Sequence, residues 1–224
     1  MPLASMVRDG YYYGFVLLGS ALLVGWLTSP WWAVVPILLA AFFMWFFRDP
    51  ERVVPSEPGL VVAPADGKVT AVCPATLDGK EFTRISVFLN VFNVHVNRSP
   101  ADGVIRVARY KAGQFLNAMN PACAECNEQN TVRLENGGHT VVFKQIAGLL
   151  ARRVVFTKKV GDTVQRGDRI GLMKFSSRMD VFLERSANIH VRAGDRVKGG
   201  SSILATLSGG EKQLAPNSKT RGDR

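Results

Sequence analysis

Two uncharged apolar runs open the chain: residues 10–27 (GYYYGFVLLGSALLVGWL) and 31–47 (WWAVVPILLAAFFMWFF), separated by Thr28-Ser29-Pro30. At about 1.5 Å per helical residue each run covers about 26 Å, close to the thickness of a bilayer core. Pro30 prevents one continuous helix, so the pattern predicts a helical hairpin. Beyond Pro58 the pattern changes to short β-branched runs punctuated by Gly, Asp and Asn. It predicts strands at 60–63, 68–72, 83–89, 94–97, 103–108, 131–134 and 140–145, with Asn136-Gly137-Gly138 as a hairpin turn. Further strands are expected at 153–157, 169–174, 179–183, 188–191 and 202–207. Helical pattern is scarce in this part; 112–118 is a candidate for one short turn.

A sequence echo runs through the second half. Val160-Gly-Asp-Thr-Val-Gln-Arg-Gly-Asp-Arg-Ile and Ala193-Gly-Asp-Arg-Val-Lys-Gly-Gly-Ser-Ser-Ile share G-D-x-V-x-x-G-x-x-I. Gly-Asp makes a tight turn, Val an inward anchor, the second Gly another turn and Ile the next strand. Biotinyl and lipoyl carrier domains resemble this pattern, but the lipoyl-type Lys at a hairpin tip is absent. The expected fold is mainly β: a flattened β-sandwich or barrel-sandwich-like domain with biotinyl/lipoyl-like repeats, preceded by the hydrophobic helical hairpin. The expected units are a membrane-embedded hairpin at 1–50, a β-rich domain at 51–208 and a disordered polar tail at 209–224.

Composition sharpens the hairpin reading. With 47% hydrophobic residues and a mean hydropathy of +0.07, the chain is not disordered. Arg8, Asp9, Arg48 and Asp49 cancel, so the whole net charge of +10 lies in residues 51–224. Arg8 precedes the first run and Arg48 and Arg52 follow the second, which puts both ends on the cytoplasmic side. All four Trp lie at the run ends, as expected at membrane interfaces. A cleaved signal peptide fits poorly, because one Arg and Leu-Thr-Ser-Pro-Trp-Trp supply neither a basic n-region nor a small-residue cleavage site. A buried core hairpin is the plainer alternative. The basic domain would lie against an anionic cytoplasmic leaflet. No patch of interleaved basic and aromatic residues calls for nucleic acid. Cys123-Ala-Glu-Cys126 lacks a second pair of ligands, so no metal site is expected.

Three segments carry candidate chemistry. Asp66 in Pro64-Ala65-Asp66-Gly67 reads by itself as a turn former. In Phe88 to Pro100 the alternation changes phase, so that Phe92, Val94 and Val96 face the core while Asn93, His95 and Asn97 share the opposite, polar face. An imidazole beside two amides suits proton transfer. Ser176 and Ser177 lie between two strands, where two serines normally make a turn.

Taken in order, five blocks resemble the short bacterial phosphatidylserine decarboxylases, a pyruvoyl-dependent proenzyme family. They are Phe47-Phe-Arg-Asp-Pro-Glu-Arg, Pro64-Ala-Asp-Gly-Lys-Val, Ser86-Val-Phe-Leu-Asn-Val-Phe-Asn-Val-His-Val-Asn-Arg, Gln145-Ile-Ala-Gly-Leu-Leu-Ala-Arg-Arg and Gly171 to Leu183. The resemblance implies that Ser177 attacks the preceding carbonyl and splits the chain into a β chain, 1–176, and an α chain, 177–224. The Ser177 end would become a pyruvoyl group, an electron sink for converting phosphatidylserine to phosphatidylethanolamine and CO₂. No metal is implied. The implied partners are the phospholipid membrane, phosphatidylserine and the two chains of one precursor, at the cytoplasmic face of the cell membrane; a homodimer is compatible with this. His95 would move protons in cleavage, in decarboxylation or in both. Asp66 would orient an imidazole, as in Ser-His-Asp enzymes. Asn93, Asn97 and Arg98 would hold substrate, Arg98 standing where longer members have a second His.

One departure matters. Ser176 replaces the family's Gly before the nucleophile, and a Cβ there would disfavour a strained backbone. Either the Ser is tolerated or the chain is a slow or trapped precursor; attack by Ser176 on the Phe175 carbonyl is a lesser route. The alternative to the enzyme is a non-enzymatic membrane-anchored adaptor with a carrier-like sandwich, which leaves the Asp66, His95 and Ser177 blocks unexplained.

Overall fold

The computed structural model of the chain describes residues 5–120, 123–149, 153–173 and 176–208. Phe175 and the expected tail at 209–224 lie outside them. The two apolar runs form α1 (Arg8–Leu27) and α2 (Val34–Phe46), joined by a 3-10 turn at Pro30–Ala33. Small residues on the inner side of α1 let the helices approach: a Cβ on Gly14 would stand 3.0 Å from Met44 Cγ. Tyr13 packs its ring on Phe43 and Phe47 at centroid distances of 5.4 and 5.8 Å. The outward face is bare apolar surface, with Leu22, Trp26 and Trp31 each more than three-quarters exposed.

Strands β1 (Ser5–Met6) and β2 (Arg48–Asp49) pair across the open end of this hairpin. The domain that follows is mainly β. Its first half holds β3 (Leu60–Val62), β4 (Gly67–Leu77), β5 (Lys80–Leu89), β6 (Val96–Arg98) and β7 (Gly103–Lys111). A short helix, α3 (Cys123–Cys126), precedes β8 (Gln129–Asn136) and β9 (His139–Ala147). Then come β10 (Val154–Phe156), β11 (Thr163–Val164), β12 (Arg169–Met173) and β13 (Ser177–Glu184). Strands β14 (Asn188–Ile189), β15 (Arg196–Val197) and β16 (Ile203–Thr206) complete the described chain.

A curled antiparallel eight-stranded sheet runs β11-β7-β8-β9-β13-β5-β4-β15. Two three-stranded sheets, β10-β12-β6 and β14-β16-β3, supply the other walls. The core between them follows the two-residue period of the strands: Val132 and Leu134, Val141 and Phe143, Met179, Val181 and Leu183 all point inward and are buried. The Asn136 turn is as expected, with Gly137 and Gly138 at φ of 55° and 88°.

The echo marks the two edges of the large sheet. Thr163 and Val164 pair with Val104 and Gly103 at one edge, and Arg196 and Val197 pair with Lys68 and Gly67 at the other. Both Val side chains are buried, and the glycines at 161, 167, 194 and 200 all have positive φ. The final Ile does not repeat its role: Ile170 is buried, whereas Ile203 is 37% exposed. What recurs is a local turn, strand and turn.

Two expectations need correction. Residues 112–118 are not helical: Gln114 bridges to Asn127, and a Cβ on Gly113 would stand 2.4 Å from the Cys126 carbonyl oxygen, a closeness only extended Gly backbone allows there. Phe92 does not enter the core but is 69% exposed. A turn at 90–93, closed by Asn93 N–H on the Asn90 carbonyl, delays the strand to Val96 and lifts Phe92 outward.

The hairpin is joined to the domain by buried contacts that run up to position 49. Phe46 and Phe47 pack with Leu172. Asp49 accepts from Arg98 Nη2 at 2.8 Å and pairs with Arg169 through its other oxygen. Arg98 also donates to the Gly167 and Pro50 carbonyls. Breaking a buried pair leaves an uncompensated charge, so Asp49→Ala should cost about 3 kcal/mol. Thermal unfolding in detergent should show this as a midpoint about 6–12 °C lower, while Arg106→Ala, which removes the exposed pair with Glu135, should barely move it.

Candidate active site

Strand β13 lies between β9 and β5, and Ser177 is its first residue, opposite Ala147 on one side and Leu89 on the other. The residue is fully buried and its Oγ has no hydrogen-bond partner. Its neighbour is pinned on the opposite face. Arg178 grips Asp180 through Nε at 2.6 Å and Nη2 at 2.8 Å, and donates to Ser86 Oγ at 3.0 Å. This i, i+2 clamp holds the start of the strand. The Asp180 carboxylate and the Cys123 sulfur outweigh burial and raise the Arg178 pKa, so the guanidinium is fixed as a cation.

The carbonyl of Ser176 comes against Gly148. A Cβ at that glycine would stand 2.1 Å from Ser176 O and 3.0 Å from its carbonyl carbon, so only Gly admits the carbonyl there. Among the described residues the non-Gly residue found at positive φ is Asp78, in the β4–β5 turn.

His95 is buried and stacks on Phe46, with ring centroids 4.3 Å apart. Neither ring nitrogen has a hydrogen-bond partner. Burial lowers its pKa to about 4; the Asn93 backbone opposes the shift without reaching hydrogen-bond geometry, and the Arg48 charge adds to it. The imidazole is therefore neutral at physiological pH. Between the ordinary 6.5 and about 4 the unfolded chain binds a proton that the folded site refuses. That contribution to stability is present above the ordinary value and is lost as pH falls through about 4.

Asp66 makes no hydrogen bond to His95. Its carboxylate takes a two-pronged contact from Arg52 Nη2, at 3.0 and 2.8 Å, and the Gly199 N–H at 2.8 Å. The three candidates for holding substrate separate as well. Asn93 Oδ1 accepts the Asn90 N–H inside the 90–93 turn. Arg98 is committed to Asp49 and two carbonyls. Asn97 is fully buried and keeps Nδ2 without a partner, while its Oδ1 accepts from Gln145 Nε2 at 2.8 Å.

Among the described residues, the buried side-chain atoms lacking partners belong to Arg84, Arg166, His95, Asn97 and Ser177. The two arginines bond through other atoms of the same guanidinium. His95 has no bonded ring atom and Ser177 no bonded hydroxyl. Each such orphan costs about 1–3 kcal/mol, which makes these three residues the candidates for chemistry among the described ones. Sequence patterns alone did not assign roles to Phe46, Gln145, Gly148, Arg178 or Asp180. All five stand inside or beside the matching blocks, but their contacts cross between distant strands.

Residues 39–205 match the model of a family described as phosphatidylserine decarboxylase. The chain is 53% identical over 200 residues to a phosphatidylserine decarboxylase proenzyme of Solibacter usitatus, covering 89% of this chain and 96% of that one. A proenzyme of the same name from Symbiobacterium thermophilum is 42% identical over 209 residues, covering 90% and 95%. One from Chlorobium chlorochromatii is 41% identical over 186 residues, covering 82% and 88%.

The Phe46 contact predicts a titration. Phe46→Ala opens the His95 ring to water, so its pKa should climb from about 4 toward 6.5. Histidine NMR, with His95→Gln to assign the signal among three histidines, measures this directly. A midpoint that stays near 4 would mean that Phe46 is not what dries the ring.

Proposed function

The chain belongs to the phosphatidylserine decarboxylase family, and from that premise we propose that it is made as a precursor that cuts itself between Ser176 and Ser177 and then converts phosphatidylserine to phosphatidylethanolamine and CO₂. The observation that carries this reading is the buried, unpartnered Ser177 hydroxyl at the start of β13, next to a carbonyl seated on Gly148. Ser177 Oγ bonds to the Ser176 carbonyl carbon as the C–N bond breaks, and the hydroxyl proton ends on the freed nitrogen. Neutral His95 carries that proton between the two, its ring nitrogens being unpartnered and the ring uncharged at physiological pH. Loss of the Ser177 α proton then expels the Ser176 carboxylate, and water replaces the nitrogen as ammonia.

Ser177 fits as the source of the resulting group: its hydroxyl is free, and scission leaves it at a chain end inside the site. The pyruvoyl carbonyl formed there supplies the sink for the electron pair left when an amino acid loses CO₂. This chain's residues do the rest. Asn97 holds an anionic oxygen with its free amide, and His95 delivers a proton to the substrate's α carbon. Asp66 acts through Arg52 and Gly199 to hold the loop at 63–66, and Arg98 acts through Asp49 to hold the hairpin. Asn93 shapes the turn that leads into His95.

Helices α1 and α2 anchor the enzyme in the cell membrane with its β domain on the cytoplasmic face. Support comes from the exposed apolar side chains of the hairpin, the 20-residue length of α1 and the charge of +10 carried beyond it.

Phosphatidylserine vesicles should yield phosphatidylethanolamine and CO₂ with the wild-type protein and neither with Ser177→Ala, which should remain one full-length chain on gels. If Ser177→Ala still splits at this bond, the nucleophile is wrongly assigned. Gly148→Ala should slow cleavage on the order of a hundredfold by displacing the carbonyl. Ser176→Gly should stay within about fivefold of wild type, the reach of a ~1 kcal/mol backbone effect. A much larger acceleration would make strain at Ser176 the controlling factor.

A further inference from the structure

The two amide atoms of Asn97 are treated unequally: Oδ1 is bonded to Gln145 and Nδ2 to nothing. An amide can turn over and exchange these positions, so the observed direction needs a cause. The cause is a backbone carbonyl on β10. Gln145 meets the Val155 oxygen at 3.4 Å, and a carbonyl only accepts, so Gln145 must present Nε2 to it. Its Oε1 then accepts from Asn130 Nδ2 at 3.3 Å. The same Nε2 reaches Asn97, which must offer Oδ1 in return. Val155 thus sets the direction of a relay of three buried amides and leaves a donor free at its end.

That end lies in the layer where cleavage occurs. Gln145 pairs with Met179 across β9 and β13, and Ser177 is two residues away on the same face. Such diagonal neighbours lie about 7–8 Å apart. His95 stands two residues before Asn97, and its carbonyl receives the Met173 N–H just ahead of Ser176.

We infer that Gln145 is a positioning residue: it holds Asn97 so that Nδ2 donates to the Ser176 oxygen as that oxygen becomes negative under attack by Ser177. When the Oγ–C bond forms, the carbonyl pair moves onto oxygen, and a neutral N–H there stabilises it without adding a competing base. Asn97 forms no covalent bond. This deepens the self-cleavage reading and rests on it.

The test uses full-length precursors carrying Gln145→Glu or Asn97→Asp, with cleavage followed on gels across an acid-to-alkaline series. An ionised carboxylate only accepts. In Gln145→Glu it turns Asn97 over, so that Oδ1 faces the negative oxygen; in Asn97→Asp the second carboxylate oxygen faces it directly. Relative to wild type, cleavage should fall on the order of a hundredfold at alkaline pH, the worth of one such donor. It should recover on the acid side, where a protonated carboxyl restores an O–H donor and burial brings its pKa up into reach. The other titratable groups facing this layer are His95 and Glu128, whose Oε1 accepts the Val154 N–H; the charged Arg98 turns to Asp49. Both contribute equally to the wild-type profile used as divisor.

A cutting wild type and an uncut Ser177→Ala keep the parent reading fixed. A loss independent of pH in variants that unfold at the wild-type temperature would mark a merely structural role and overturn the inference. So would a wild-type profile. If Gln145→Glu does not fold, Asn97→Asp, which keeps the bond from Gln145, decides alone.

Discussion

A polar atom sealed from water without a hydrogen bond is costly, and among the described residues three carry such atoms with no other bond to offset them on the same group: both His95 ring nitrogens, Asn97 Nδ2 and Ser177 Oγ. His95, Asn97 and Ser177 are each almost fully enclosed, and each keeps at least one polar atom unpaired. The surrounding structure makes that tolerable. The Arg178–Asp180 clamp pins β13 from behind, and the amide relay fixes Asn97 from the side. Gly148 clears the place where the Ser176 carbonyl must lie. A chain that cleaves itself must hold nucleophile and carbonyl together before the reaction, so geometry is where its folding energy is spent.

The hairpin belongs to the same design. Phe46, the last residue of α2, packs on the His95 ring, and Asp49 just beyond it neutralises Arg98 and Arg169. The segment between them, Phe46 to Asp49, joins the apolar helices to the reacting layer with no intervening linker. An apolar hairpin joined this way also shapes the electrostatics of the site, because moving α2 would expose His95 and alter its affinity for a proton.

Much of the molecule was legible in the residues. The hairpin followed from two uncharged runs and Pro30, and the strands from their alternation and turn signals, because period and turn chemistry are local properties. The edge repeats were visible as G-D-x-V. The misplacement of Phe92 came from a turn at 90–93, where alternation continues in the letters but the backbone leaves the strand. Within the site, Ser177 was found by resemblance, and His95 by its place between two amides as well as by resemblance. Their environment was not, since the partners of Asp66 and Asn97 lie far off in sequence, at Arg52, Gly199 and Gln145. A motif names residues; only the register of β9, β13 and β5 determines which of them meet.

The central claim is that Ser177 is held, unpaired, to break the bond before it. Intact-mass spectrometry of the purified wild-type protein tests this most directly. The account predicts two species: a chain of residues 1–176 ending in an ordinary carboxyl group, and a chain of residues 177–224 lighter by one ammonia than a serine-initiated peptide. A single species with the mass of the uncut chain, or two species with an unmodified serine at position 177, would contradict it.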